Sequence, residues 1–112
     1  MDNKVLGTLG EDTAAKLLSC KGYRIIARNY RCMFGEIDII AYRGGCLHFI
    51  EVKTRQTAAY GRPCESVNSV KQGRIRKAAV FYLKELKASG IKLPRIDFQV
   101  IEVTIEQIGN AF

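Results

Sequence analysis

Two acids stand where a buried hairpin would ordinarily carry apolar side chains. In the stretch GEIDIIAYRGGCLHFIEVKTR (residues 35–55), Asp38 lies inside the run IDIIAY and Glu51 inside CLHFIEV. The Gly44-Gly45 pair between the runs suits a primed two-residue turn, whose central residues need positive φ. Such a turn makes Arg43 face Cys46, and counting back along both strands brings Asp38 opposite Glu51 and Glu36 opposite Lys53. The acid pair falls at a non-hydrogen-bonded position, with Cβ atoms roughly 4.5–5.5 Å apart. Side chains alternate along a strand, so Glu36, Asp38, Glu51 and Lys53 are expected on one face. Like charges placed this way destabilise a sheet unless they share a proton or hold a cation. A three-residue turn would break the pairing. The alternative for the acids themselves is a surface salt-bridge ladder splayed into water.

Carboxylate oxygens without His or Cys suit a hard cation, Mg²⁺ or Mn²⁺, and disfavour zinc. At a phosphodiester such an ion neutralises the phosphate, acidifies a bound water and stabilises charge in the transition state. Lys53, two residues beyond Glu51, could steer or help deprotonate the attacking water, or support developing negative charge. Glu11 is a third candidate ligand. Gly7, Ala14, Ala15 and Leu18 around it place it within the inward stripe of a first helix, and the small residues Gly7, Gly10 and Ala14 allow close approach to a sheet. A rim position paired to a lysine is the alternative for Glu11.

Charge points the same way. The formal net charge is +7, and between Lys53 and Lys77 seven cations face one acid, Glu65. That balance implies a polyanion partner, with a solvated basic surface as the bland alternative. Lys71 and Arg74 fall near the start of a long helix, where N-termini favour anions. Arg55 lies two residues beyond Lys53, and Arg62 with Tyr60 lies in a loop that could close over substrate. Glu36 is assigned an outer role, as a tether for Lys53 or an outer-shell ligand. Asp97 is expected to pair with Arg95.

The elements that must position these residues follow from periodicity. Helical spacing runs from about Asn3 to Lys21, with Gly22 as its stop. YRIIARNYRC (residues 23–32) reads as a strand and the hairpin supplies two more. After a Gly- and Pro-bearing loop, a second helix spans about Val67 to Ser89, with an apolar stripe that includes Val70, Ala78, Phe81, Tyr82 and Leu86. RIDFQVIEV (residues 95–103) is a last strand. The fold class is α/β: a small mixed four-stranded sheet flanked by helices, in the order helix, three strands, helix, strand, as one domain over residues 1–112. The helix makes the last strand parallel to the third.

Cys20, Cys32, Cys46 and Cys64 are unevenly spaced and include no C-x-x-C, which disfavours a zinc site and favours reduced thiols. No apolar run is long enough to span a membrane, and the N-terminal residues lack a signal-peptide pattern. A cytoplasmic location is therefore expected.

A helical Glu, then a strand Asp, then E-x-K on the next strand resembles the PD-(D/E)xK nuclease superfamily, whose restriction endonuclease-like core has the same element order. More closely, the chain resembles the YraN-like family of small bacterial proteins, relatives of Holliday-junction resolvases. The resemblance rests on GEDTAAKLL (10–18), GYRIIARNYR (22–31), GEIDIIA (35–41), FIEVKTR (49–55), VKQGRIRKAA (70–79), RIDFQVI (95–101) and NAF (110–112). It implies that Glu11, Asp38, Glu51 and Lys53 form a catalytic set. Ile37 stands where the superfamily's name has Pro. The implied activity is Mg²⁺- or Mn²⁺-dependent hydrolysis of DNA, with branched or damaged structures as candidate substrates, DNA favoured over RNA, and a homodimer as the implied assembly. The alternative is a non-catalytic nucleic-acid-binding or repair-accessory protein on the same fold. A protein whose acids only form salt bridges is a third.

Overall fold

The computed structural model describes residues 2–56 and 68–106. Helix α1 (Asn3–Cys20) is followed by strands β1 (Arg24–Cys32), β2 (Gly35–Arg43) and β3 (Cys46–Gln56), helix α2 (Ser69–Ala88) and strand β4 (Arg95–Ile105). The sheet order is β1-β2-β3-β4. The first three strands form an antiparallel meander and β4 runs parallel to β3. This is the α/β class and element order expected from periodicity.

Both helices start at side-chain caps. Asp2 Oδ1 accepts from the Val5 N–H and Asn68 Oδ1 from the Lys71 N–H, each at 2.8 Å, which satisfies amides that have no partner inside the helix.

Each face of the sheet carries one helix. Ala14, Ala15 and Leu18 of α1 pack on Ile39, Ala41, Ile50 and Val52. On the other face Ile75, Ala78 and Ala79 of α2 pack on Ile37, Ile40, Leu47 and Phe49. Burying each of the large side chains stabilises the fold by about 1.5–3 kcal/mol. Of the apolar stripe expected on α2, Ala78 is buried while Val70 is 63% exposed. Val70 belongs to the first turn, which overhangs a cleft instead of the core.

The hairpin register is the expected one from Arg43–Cys46 through Ile39–Ile50. Gly44 and Gly45 have φ of 59° and 79°, the backbone a primed turn requires. Pairing between β2 and β3 stops at Ile39–Ile50, one step before the acids. There β2 stays with β1, β3 stays with β4, and the sheet forks.

The contact of α1 with the sheet is close at one glycine. A methyl on Gly10 would overlap Thr54 Oγ1, whereas a methyl on Gly7 would meet nothing within 4 Å. Gly7→Ala is therefore expected to raise the melting temperature, since Ala gains up to about 1 kcal/mol over Gly in a helix. Gly10→Ala is expected to lower it, with a steric cost of about 1–3 kcal/mol outweighing the same gain. Thermal melts of the two variants beside the wild type check both signs.

Candidate functional site

The fork is built around Asp38. In a continued ladder the next hydrogen-bonded step would join the Val52 N–H to the Ile37 carbonyl. Instead that amide donates to Asp38 Oδ2 at 2.8 Å. The carboxylate thus takes the place of a backbone acceptor and wedges the strands apart.

Facing reverses at the same level in both neighbouring strands. Ile37 and Ile40, three residues apart, share the α2 face, and so do Ala27 and Tyr30. Arg28 lies between the latter two and reaches Asp12 on α1 at 2.7 Å. Asn29 takes up the reversal on β1 with φ of 53°, a left-handed conformation that Asn tolerates better than most residues. With its amide nitrogen turned inward, the orientation that satisfies its neighbours, Asn29 donates to Glu11 Oε2 at 3.1 Å and Glu36 Oε1 at 3.2 Å.

Glu51 and Lys71 complete the cleft. Glu51 is only 6% exposed, and Lys71 Nζ lies 2.6 Å from its Oε1. Gly35, Glu36, Asp38, Glu51, Asn68, Lys71 and Arg74 are among the lining of a cleft of ≈ 370 Å³. Gly35 has φ of 152°, and a methyl there would come within 3.3 Å of Arg74 Cβ. The glycine of G-E-I-D therefore lets the start of α2 lie close over the acids.

The electrostatics follow from burial and crowding. Burial pushes the Asp38 carboxyl up to about 7, against the lowering effect of the Val52 N–H; the charge of Glu51, a hydrogen bond with it and the charge of Glu11 push it further. Asp38 thus stands within hydrogen-bond reach of Glu51 and keeps its own proton up to near neutral pH. The hydrogen bond to Glu51 holds the Lys71 ammonium above its usual range, and Lys53 lies within hydrogen-bond reach of Lys71.

The sequence-derived residues divide accordingly. Asp38 and Glu51 meet, with Lys53 next to the same ammonium. Glu11 stands behind Asn29, and among the described residues no three His, Cys, Asp or Glu side chains converge in a geometry that could hold a metal. Glu36 pairs across β1 with Arg31 at 3.5 Å, its ladder partner. Lys71 and Arg74 line the cleft, with the half-exposed Lys71 side chain bringing its ammonium onto Glu51. Arg55 is tied to Glu102 at 3.0 Å across β4. Tyr60, Arg62 and Cys64 lie outside the described residues. Asp97 does not pair with Arg95 as expected: it contacts His48 Nδ1 at 3.0 Å and accepts from Gln99 at 2.8 Å on the α1 side of the sheet. Parallel register puts His48 directly beside Asp97, which local spacing within β4 could not reveal. Cys20, Cys32 and Cys46 carry free thiols.

One residue and one pairing escaped the sequence reading. Asn29 carried a signal, an Asn inside an aromatic and β-branched strand, where the residue type favours left-handed backbone. The Lys71–Glu51 pair carried none, since it joins residues from separate elements.

The donor set suits a hard cation. Two touching carboxylates, one of them buried and already holding an ammonium, offer oxygens only. Mg²⁺ commonly takes one or two carboxylates and keeps its remaining positions for water and phosphate. Asp38 and Glu51 are the residues that would hold it.

Fold and cleft together define a small mixed α/β protein with paired carboxylates at a fork in its sheet. The profile described as "Uncharacterised protein family UPF0102" matches residues 10–103, and the chain belongs to that family. It is 42% identical over 110 residues to a UPF0102 protein of Dictyoglomus turgidum, covering 98% of this chain and 91% of the relative. A UPF0102 protein of Alkaliphilus metalliredigens is 45% identical over 116 residues, with coverage of 98% and 99%. One from Geobacter sulfurreducens is 47% identical over 118 residues, with coverage of 98% and 90%. Among the described residues no helix is long and apolar enough to cross a membrane.

The raised Asp38 carboxyl has a definite sign. Its folded value lies above the unfolded value of 3.8, so its contribution to stability is full below about pH 4 and is lost as pH rises through about 7. Asn at this position mimics the protonated acid at every pH. In chelator at pH 8, Asp38→Asn is expected to melt above the wild type, and the gap should close by pH 4–5. Paired thermal melts across that range check it.

Proposed function

We propose that the cleft is the active site of a Mg²⁺- or Mn²⁺-dependent nuclease that hydrolyses phosphodiester bonds in DNA. The observation that carries this reading is the meeting of Asp38 and Glu51 in a cleft whose other wall is the basic, capped N-terminus of α2. It accords with the resemblance to the PD-(D/E)xK superfamily. The bound ion would supply charge neutralisation at the phosphate and acidify water. Asp38 and Glu51 hold the site open to a cation, and Glu11 adds negative charge from behind Asn29. Lys53 acts on the attacking water, while Lys71, Arg74 and the amides of the first turn of α2 receive phosphate. Branched or damaged DNA is the substrate class that the resolvase-like resemblance favours, and a homodimer would present two clefts to two strands.

A second reading has its own support. Lys71 neutralises Glu51 from within the chain, and such an internal pair suits a protein that binds nucleic acid without cutting it.

Melting temperature against Mg²⁺ and Mn²⁺ tests the site before any substrate is known. A ligand at 100 times its Kd stabilises by about 2.7 kcal/mol, on the order of 10 °C or more for a domain of this size. The wild type is expected to shift by that amount, and Asp38→Asn and Glu51→Gln far less. Equal shifts in all three, or none, would sink the metal site. Metal-dependent cleavage of duplex, single-stranded or branched DNA, lost in both variants, separates the nuclease from the binding protein.

A further inference from the structure

The cleft already contains a cation of its own. We propose that Lys71 is a resident counter-ion that a divalent metal ion displaces from Glu51, and that the displaced ammonium then binds the phosphate of the substrate. The inference rests on the metal-dependent reading above and adds the order in which the cleft's charges are exchanged.

Three features support it. Glu51 is 6% exposed, and an ionised carboxylate that deep requires a positive partner. Lys71 supplies it at 2.6 Å, through the carboxylate that a cation shared with Asp38 would need. An ammonium left in place would stand against the arriving ion as a like charge. Lys71 is also free to move: its side chain is 44% exposed, whereas its backbone N–H is fixed to the Asn68 cap. A lysine ammonium is a compact charge on a flexible stem, so Nζ can leave Glu51 while α2 stays where it is.

The destination is set by the same helix. Arg74 lies one turn on from Lys71, and both line the cleft. Nζ turned away from Glu51 joins Arg74 and the exposed amides at the start of α2, the place where a helix favours an anion. The exchange leaves each charge with a partner: the arriving metal takes over the carboxylates, any carboxyl proton leaves to solvent as it binds, and the released ammonium meets the phosphate. No covalent step is involved.

The experiment has three arms, using full-length protein. Mn²⁺ is titrated calorimetrically into the wild type and Lys71→Met. The amine reactivity of Lys71 in the wild type is read by reductive methylation and mass spectrometry, with and without saturating Mn²⁺. A fluorescein-labelled DNA oligonucleotide is titrated into both proteins in Ca²⁺ and in chelator. Displacement predicts that Lys71→Met binds Mn²⁺ at least about fivefold more tightly, the lower end of ordinary coupling between sites. It also predicts that Mn²⁺ speeds methylation of Lys71, and that the variant loses oligonucleotide affinity in Ca²⁺ but not in chelator. Wild type that binds Mn²⁺ with Lys71 reactivity unchanged overturns the displacement and leaves the metal site standing. Failure of both proteins to bind Mn²⁺ overturns the metal reading itself, and this inference with it. Unchanged oligonucleotide affinity in Ca²⁺ overturns the phosphate role. The methylation arm uses only the wild type, so a folding defect in Lys71→Met does not disable the test.

Discussion

The hydrogen bond from the Val52 N–H to the Asp38 carboxylate is the constraint on which the rest of the cleft depends. A strand leaving its neighbour normally abandons amides and carbonyls that must find other partners. Here the wedge that separates β2 from β3 is itself the replacement acceptor, so the sheet opens without orphaning the amide. Because the wedge is an acid, the fork places a carboxyl group in partial burial beside Glu51. The bond to Val52 favours ionisation and the surroundings oppose it, and burial prevails. Opening the sheet and charging the site are one event.

The surrounding structure accommodates that event. Asn29 and Asp38 take up the reversal of facing in β1 and β2, which lets Ile37 return to the α2 core immediately beyond the fork. Gly35 lets α2 descend until Arg74 lies over the strand, and Asn68 starts that helix at the cleft's edge. On the far face Gly10 seats α1 against Thr54, just past Glu51 and Lys53 on β3. Rigid packing on both faces therefore meets at the one place where the sheet is split.

The basic surplus is less free than the count of charges implies. Lys71 is held by Glu51, Arg55 by Glu102, Arg28 by Asp12 and Arg31 by Glu36. Exposed pairs of this kind contribute little to stability, but they fix where cations stand before any polyanion arrives. The Lys71 pair differs from the others because its carboxylate is buried, and the cleft is where that difference falls.

Much of this was legible in the residues alone. The period of apolar residues and the Gly44-Gly45 turn determined the element order, the class of sheet and the hairpin register from Arg43–Cys46 to Ile39–Ile50, because a two-residue turn and a two-residue side-chain period leave no freedom once the hairpin closes. The same arithmetic brought Asp38 and Glu51 together. It could not show the register ending at the acids, because the acceptor that ends it is a side chain and pairing rules count only backbone. Nor could it reach Asn29 between two glutamates, His48 beside Asp97, or Lys71 on Glu51. Each joins residues from different elements, and a local pattern holds no information about the distance between elements. Sequence determined which residues share a strand or a helix turn. The packing of α1 and α2 on opposite faces of a split sheet decided which charges meet.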